Sequence, residues 1–280
     1  MKFVKMQGTG NDFILIDARK LDKDWSKLAQ RMCHRHFGIG SDGLLVVQPS
    51  RSADLRMRMF NPDGSEAEAC GNGIRCFAKY AVESGLAGGD SLRIETLAGV
   101  REVRLFGDGG RIHRVQVGMG QPELGAEDIP VNLAGAAAPI LDYPLTIEGR
   151  KLLLTFVSMG NPHAVCFLEE PVSDFPLAEL GPRVEHHPMF PQRTNFEIAN
   201  VQDGKHITAR VWERGAGETL SCGSGACAIA VAARLHGYIE NKVDITLPGG
   251  MLTLEWDGRG EVYLSGPAET VFTGEWPEEE

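Results

Sequence analysis

A nine-residue segment of this chain has a near-repeat in its second half. Cys70-Gly71-Asn72-Gly73-Ile74-Arg75-Cys76-Phe77-Ala78 resembles Cys222-Gly223-Ser224-Gly225-Ala226-Cys227-Ala228-Ile229-Ala230, which lies 152 residues further on. Upstream, Gly10-Asn11-Asp12-Phe13 has a looser echo, 150 residues later, in Gly160-Asn161-Pro162-His163. Two echoes at nearly one spacing imply two related halves, and any fold for the chain must accommodate both.

The segments that follow the two cysteines read as helices. Each runs to a glycine, Gly85 or Gly237, the residue that takes a left-handed C-terminal cap at least cost. Ile74, Phe77, Ala78, Ala81 and Val82 in one, and Ala226, Ile229, Ala230, Val231 and Leu235 in the other, wrap most of the helix surface and predict burial on several sides. Small residues such as Ala78, Ala81, Ala228 and Ala232 let surrounding strands approach closely.

Elsewhere short apolar or β-branched runs predict strands, at 13–16, 44–47, 152–157, 243–247 and 262–264. Turn signals bound them at 61–64, 107–110, 248–250 and 257–258. Regular helical crossovers are missing from this pattern, so the expected class is α+β. The expected architecture is two pseudo-symmetric lobes, each a curved, mainly antiparallel, barrel-like sheet around a central helix, with the active site in the cleft between lobes. Strand spacing puts the N-terminal lobe at 1–117, with 267–280 returning to it, and the C-terminal lobe at 118–266.

Composition narrows the function. With 280 residues, 42% hydrophobic and 24% charged, the chain resembles an ordinary globular protein whose one biased tract is the acidic Glu278 to Glu280. A net charge of -10 argues against nucleic acid as a partner. The start of the chain has no signal-peptide pattern and no run has the length of a membrane span, so the expectation is a cytoplasmic protein without membrane contact. Six cysteines, at 33, 70, 76, 166, 222 and 227, are too thinly spread for a disulfide framework and lack zinc spacing, so free thiols and no metal are expected.

A cysteine that opens a helix through Gly-x-Gly sits among unpaired backbone N–H groups at the positive end of the helix dipole. Both favour thiolate, and the same N–H groups can hold a carboxylate. One such cysteine would read as a small core residue. Two matched ones suggest a pair of bases on either side of an α-carbon, one thiolate and one thiol, which is what inversion of a stereocentre requires without a cofactor. Arg214 beside Glu213 suits a substrate that carries both carboxylates and ammonium groups.

These residues resemble the diaminopimelate epimerases of the bacterial and plant lysine pathway. The resemblance spans Lys5 to Phe13, Asn61-Pro62-Asp63-Gly64-Ser65, the first Cys-Gly-Asn-Gly, Ser158 to His163, Arg193-Thr194-Asn195 and Glu213 through Gly225. It implies a pyridoxal-free interconversion of LL- and meso-2,6-diaminopimelate, a small-molecule amino-acid substrate, for lysine and cell-wall precursors, and a homodimeric assembly. It further implies that Cys70 and Cys222 are the acid/base pair and that backbone N–H groups of Gly71, Asn72, Gly223 and Ser224 bind the reacting carboxylate. Glu213 and the carbonyl of Arg214 would take the ammonium group there. Asn11, Asn61, Asn161, Asn195 and the Arg214 guanidinium would read the distal end, and His163 and Glu213 would polarise the thiols. The chain departs from some members at Gly43, where they carry a substrate-contacting glutamine; water or another side chain would replace that contact.

Two other readings compete. A proline or hydroxyproline racemase would share the cysteines but has no use for Arg214 and several asparagines at a distal pole; the phenazine-biosynthesis isomerases lack the paired cysteines. A thiol redox protein would instead use Cys70 and Cys222 as a reversible bridge.

Overall fold

The structure, a computed structural model, describes residues 1–68, 70–133 and 136–277; the acidic end at Glu278 to Glu280 lies outside them. Helices form where the duplicated segments predict them. Cys70 and Cys222 are extended N-cap residues, and the helices they open run Gly71–Glu83 and Gly223–Leu235. Each stops the same way: Gly85 and Gly237 take φ of 67° and 73°, and the next residue's N–H reaches back five positions, Leu86 to Ala81 and Tyr238 to Ala233. This double closure satisfies carbonyls that a helix end leaves open.

The chain divides into two compact units, Met1–Gly118 with Ser265–Glu280, and Met119–Leu264. In the first, the elements are β1 (Lys2–Gly8), β2 (Asn11–Asp17), α1 (Trp25–Met32), β3 (Gly43–Gln48), β4 (Leu55–Phe60), β5 (Glu66–Ala67), α2 (Gly71–Glu83), β6 (Ser91–Thr96), β7 (Gly99–Asp108) and β8 (Arg111–Gly118). The second holds β9 (Tyr143–Ile147), β10 (Arg150–Ser158), β11 (Pro162–Phe167), a 3-10 turn at Val172–Asp174, α3 (Leu177–Glu185), β12 (Asn195–Asp203), β13 (His206–Glu213), β14 (Gly217–Thr219), α4 (Gly223–Leu235), β15 (Lys242–Leu247) and β16 (Gly250–Glu255). Then β17 (Tyr263–Gly266) carries the chain back to the first unit, and β18 (Glu269–Glu275) pairs antiparallel with β1.

The two sheets repeat one plan. In the first unit β1–β2 is antiparallel, β2–β3 parallel, β3–β4 antiparallel, β4–β6 parallel and β6–β7 antiparallel. In the second the same alternation runs through β10, β11, β12, β13, β15 and β16. Each sheet surrounds a helix: α2 packs on β1, β2, β3, β4, β7 and β8, and α4 on β10, β11, β12, β15 and β16. The fold is thus α+β and dominated by sheet.

Strand periodicity sorts side chains between two layers. On β12, Phe196 and Ile198 join an outer core with Leu177, Leu180 and Val184 of α3, so Glu197 and Ala199 point the other way, toward α4. On β3, Leu44 and Val46 join Trp25, Ala29 and Met32 of α1, which leaves Leu45 and Val47 for α2. None of the helices among the described residues is long and apolar enough to cross a membrane.

Candidate active site

In the first unit, Cys70 stands where β5 hands the chain to α2. Its sulfur lies 3.6 Å from Asn11 Oδ1, which also accepts from Asn72 Nδ2 at 3.3 Å. Asn11 follows a tight left-handed turn, Thr9 (φ 52°) and Gly10 (φ 83°), that delivers it from β1 to the start of β2. Its Nδ2 donates to Asp42 Oδ2 at 2.6 Å, and Asp42 in turn holds Arg35. Asp12 takes both Arg35 and Lys5; partial burial works against its charge, but the hydrogen bonds from Arg35 and Lys5 outweigh it and hold the carboxyl at about 2.

Beneath this cluster Arg75 is completely buried. Its guanidinium donates to Asn72 Oδ1 at 2.9 Å, Thr9 Oγ1 at 3.1 Å and Pro267 O at 3.1 Å. A permanent cation is therefore fixed at the first turn of α2, alongside the partial positive charge of the helix end. Gly71 begins that turn. Asn61 sits apart in its own turn, donating to Ser65 Oγ at 3.0 Å.

In the second unit Cys222 is the N-cap of α4 and accepts from Gly225 N at 3.4 Å, with Ser224 Oγ 3.5 Å from the sulfur. The N–H groups of Gly223 and Ser224 have no acceptor within the helix, because first-turn donors never do. Asn161, released from Gly160 (φ 87°), donates through Nδ2 to Ser224 Oγ at 3.4 Å, and its Oδ1 lies 3.1 Å from His163 Nε2. His163 Nδ1 is 2.7 Å from Glu197 Oε1, both side chains being wholly buried.

A second group brings Asn195, Glu213 and Arg214 together. Asn195 Nδ2 donates to Pro162 O at 2.8 Å and its Oδ1 accepts from Arg214 N at 2.9 Å. Glu213 Oε1 accepts from Thr219 Oγ1 at 2.5 Å, and the Arg214 guanidinium donates to Gln192 O at 3.1 Å. The turn that carries them is tied down by buried Glu185, which accepts from Trp212 Nε1 at 2.8 Å, Gly215 N at 2.9 Å and Arg193 at 3.3 Å. Gly181 of α3 allows this, since a Cβ there would come within 2.5 Å of the Trp212 ring.

At Cys222 burial outweighs the helix start. It pushes the thiol well above its ordinary value, Glu213 and then Glu197 add repulsion, and the hydrogen bonds from Ser224 and Gly225 only partly oppose them. Burial therefore favours the thiol form of Cys222. Burial likewise pushes Cys76 up to about 12 and Cys166 to about 11, which leaves both as inert core residues.

Arg75, Glu185 and Glu197 are among the residues of these clusters that escape the sequence reading, as is Arg35. Arg75 and Glu197 each stand alone in an apolar stretch, Ile74-Arg75-Cys76-Phe77 and Phe196-Glu197-Ile198. Such an isolated charge is the signal that could have marked them, because a buried charge is retained only with partners. At Gly43 a Cβ would sit 3.1 Å from Phe60 O and 3.4 Å from Met59 Cε, so β3 has little room there for a longer side chain.

Solved structures place the fold in a class shared by racemases, epimerases and isomerases. A phenazine biosynthesis protein of the PhzF family from Bacillus anthracis superposes with a TM-score of 0.71 at 17% identity, covering 99% of both chains. A hydroxyproline epimerase from Agrobacterium vitis gives 0.70 at 15% identity, covering 98% of this chain and 91% of that one. Sequence narrows the class. The diaminopimelate epimerase family model matches residues 3–125 and 155–271. Diaminopimelate epimerase of Moorella thermoacetica is 53% identical over 280 residues, 99% of each chain, and that of Halothermothrix orenii is 48% identical over 277 residues, 98% of this chain and 97% of that one. The chain belongs to the diaminopimelate epimerase family and is an isomerase of the epimerase type.

Proposed function

We propose that the protein interconverts LL- and meso-2,6-diaminopimelate by a two-base route that uses no cofactor, with Cys70 and Cys222 as the acid/base pair. One sulfur, as thiolate, takes the α-proton; the other, as thiol, returns a proton to the opposite face of the same carbon, so each turnover exchanges their roles. Each cysteine is the base for one direction of inversion, and burial at Cys222 favours its proton-donating thiol form. The coupled pair titrates as a unit, not as two independent groups.

The observation that carries this reading is the cysteine at the N-cap of each of two matching buried helices, in a chain of this family. The α-proton is weakly acidic, and negative charge moves onto the carboxylate as it leaves. N–H groups of Gly71, Asn72, Gly223 and Ser224 are the donors that stabilise that charge. Glu213 and the Arg214 carbonyl take the neighbouring ammonium group. Asn11, Asn61, Asn161, Asn195 and the Arg214 guanidinium recognise the distal amino-acid end, where amides both donate and accept.

Incubation with LL-diaminopimelate in heavy water tests the reading. It expects approach to an isomer mixture with one deuterium entering at the inverted α-carbon; inversion without deuterium would exclude proton exchange. Turnover of proline or hydroxyproline in place of diaminopimelate would refute the substrate assignment.

A further inference from the structure

The two units share a framework but differ beneath the helix glycines. In the first, β2 and β3 run parallel with Leu15 beside Leu45, and a Cβ on Gly73 would meet Leu45 Cδ2 at 3.4 Å and Phe13 Cζ at 3.6 Å. In the second, β11 and β12 run parallel with Val165 beside Glu197, and a Cβ on Gly225 would meet Glu197 Oε1 at 2.9 Å. The repeat places Glu197 where Leu45 stands and His163 where Phe13 stands. An apolar pair in one half is an acid–imidazole pair in the other, and all four side chains are fully buried.

Burying that pair costs free energy that Phe and Leu would not cost. Glu197 Oε2 has no hydrogen-bond partner and is shut off from solvent, so packing alone does not account for the carboxyl. Its other oxygen leads toward a sulfur. We propose that Glu197 is a positioning residue for Cys222: through His163, Asn161 and Ser224 it aligns a chain of hydrogen-bond donors on the Cys222 sulfur, a chain whose acid–imidazole end is replaced by Leu45 and Phe13 in the first unit.

The direction of the chain follows from its atoms. Asn161 Oδ1 can only accept, so His163 Nε2, 3.1 Å away, carries a hydrogen. The Asn161 amide nitrogen then donates to Ser224 Oγ, which leaves the Ser224 hydroxyl hydrogen for Cys222 Sγ. Glu197 fixes the start, because one proton shared between its carboxyl and His163 Nδ1 holds the imidazole in the Nε2–H form. Burial raises the Glu197 carboxyl, with His163 opposing, and the pair with its shared proton is neutral overall. The charged groups facing the sulfur are Glu213 from β13 and this pair from β12 and β11. A bare Glu197 carboxylate repels a Cys222 thiolate; the proton shared with His163 offsets that charge, and what the pair then adds is an aimed donor, which favours the thiolate that each turnover must form there.

This inference rests on the reading of Cys222 as an acid/base residue, and its test is read without turnover. Iodoacetamide alkylation of Cys222 and Cys70 is followed peptide by peptide over a pH series in the full-length protein. Replacing the pair by its apolar counterparts, Glu197→Leu with His163→Phe, is expected to slow Cys222 alkylation about tenfold and move its midpoint to higher pH, with Cys70 unchanged. Glu197→Gln, whose amide can still donate to Nδ1, is expected to retain the wild-type rate. Ser224→Ala removes the last link without touching the core and is expected to slow Cys222 alone, which keeps the test decisive if the double variant does not fold. Unchanged Cys222 alkylation in Ser224→Ala or in the folded double variant would overturn the proposal, as would faster alkylation in the double variant, the signature of a bare carboxylate. Epimerisation that survives Cys222→Ala would refute the parent reading and leave these rates standing.

Discussion

Gly225 and Glu197 occupy adjoining space, with 2.9 Å between a Cβ built on the glycine and the carboxyl oxygen. Gly225 is not in the left-handed region, so what opposes a side chain there is that carboxyl oxygen; the Cβ and sulfur of Cys222, each 3.4 Å away, are ordinary contacts. At Gly73 the nearest contacts are ordinary ones with Leu45 and Phe13. Alanine is the better helix former by about 1 kcal/mol, so Gly73→Ala should unfold at or slightly above the wild-type temperature. Gly225→Ala should unfold below it, by about 1–3 kcal/mol of strain less the helix gain. Thermal unfolding of the two variants side by side checks the order.

Cys70→Ala and Cys222→Ala are each expected to abolish epimerisation while leaving the fold intact, since the Cys70 side chain caps no N–H of its helix and Cys222 supplies one weak sulfur cap, at 3.4 Å from Gly225 N, to a helix held by its buried faces. Isomer analysis together with circular dichroism measures both. Full turnover by either variant would remove the two-base mechanism.

Asp12 links stability to acid. Its folded carboxyl is held at about 2, against 3.8 when unperturbed, so its contribution is fully present above pH ~4 and fades as pH falls toward 2. The difference corresponds to about 2 kcal/mol. Asp12→Asn should lower stability by that order at neutral pH and flatten the acid limb; an acid titration of urea midpoints that leaves the limb as steep as in wild type would contradict this.

Glu185 gathers three donors around the turn that carries Glu213 and Arg214. Glu185→Ala strands them, at about 1–3 kcal/mol for the buried ones, and frees the turn. For the epimerisation proposed above, KM should rise about tenfold with a smaller change in kcat. Steady-state kinetics separate the two, and a fall in kcat at constant KM would point to a role in the proton transfer instead.

Much of this was visible before any coordinates. Cys70 to Gly85 and Cys222 to Gly237 could be read as helices because both ends carry local signals, a Cys-Gly-x-Gly start and a glycine cap. The α+β class followed from short strands without crossovers. The short helices Trp25–Met32 and Leu177–Glu185 were not read, because eight or nine residues leave little periodicity to detect. Parallel pairing of Phe13 with Gly43 and of His163 with Asn195 joins distant segments and leaves no local trace. Asn11, Asn161 and Cys222 could be singled out as chemistry-bearing types, whereas Glu197 and Arg75 matter for what surrounds them, and that is set by tertiary packing.

β18 belongs to the first unit yet follows the whole of the second. On the ribosome, β1 finds β2 at once, but all strands from β9 to β16 are made before its second partner, β18, exists, and Arg75 waits equally long for the Pro267 carbonyl it binds. The second unit is contiguous and can complete its sheet during synthesis. The first must hold an open strand edge until the final stretch of chain emerges, so the order of assembly is the reverse of the order in which the halves begin.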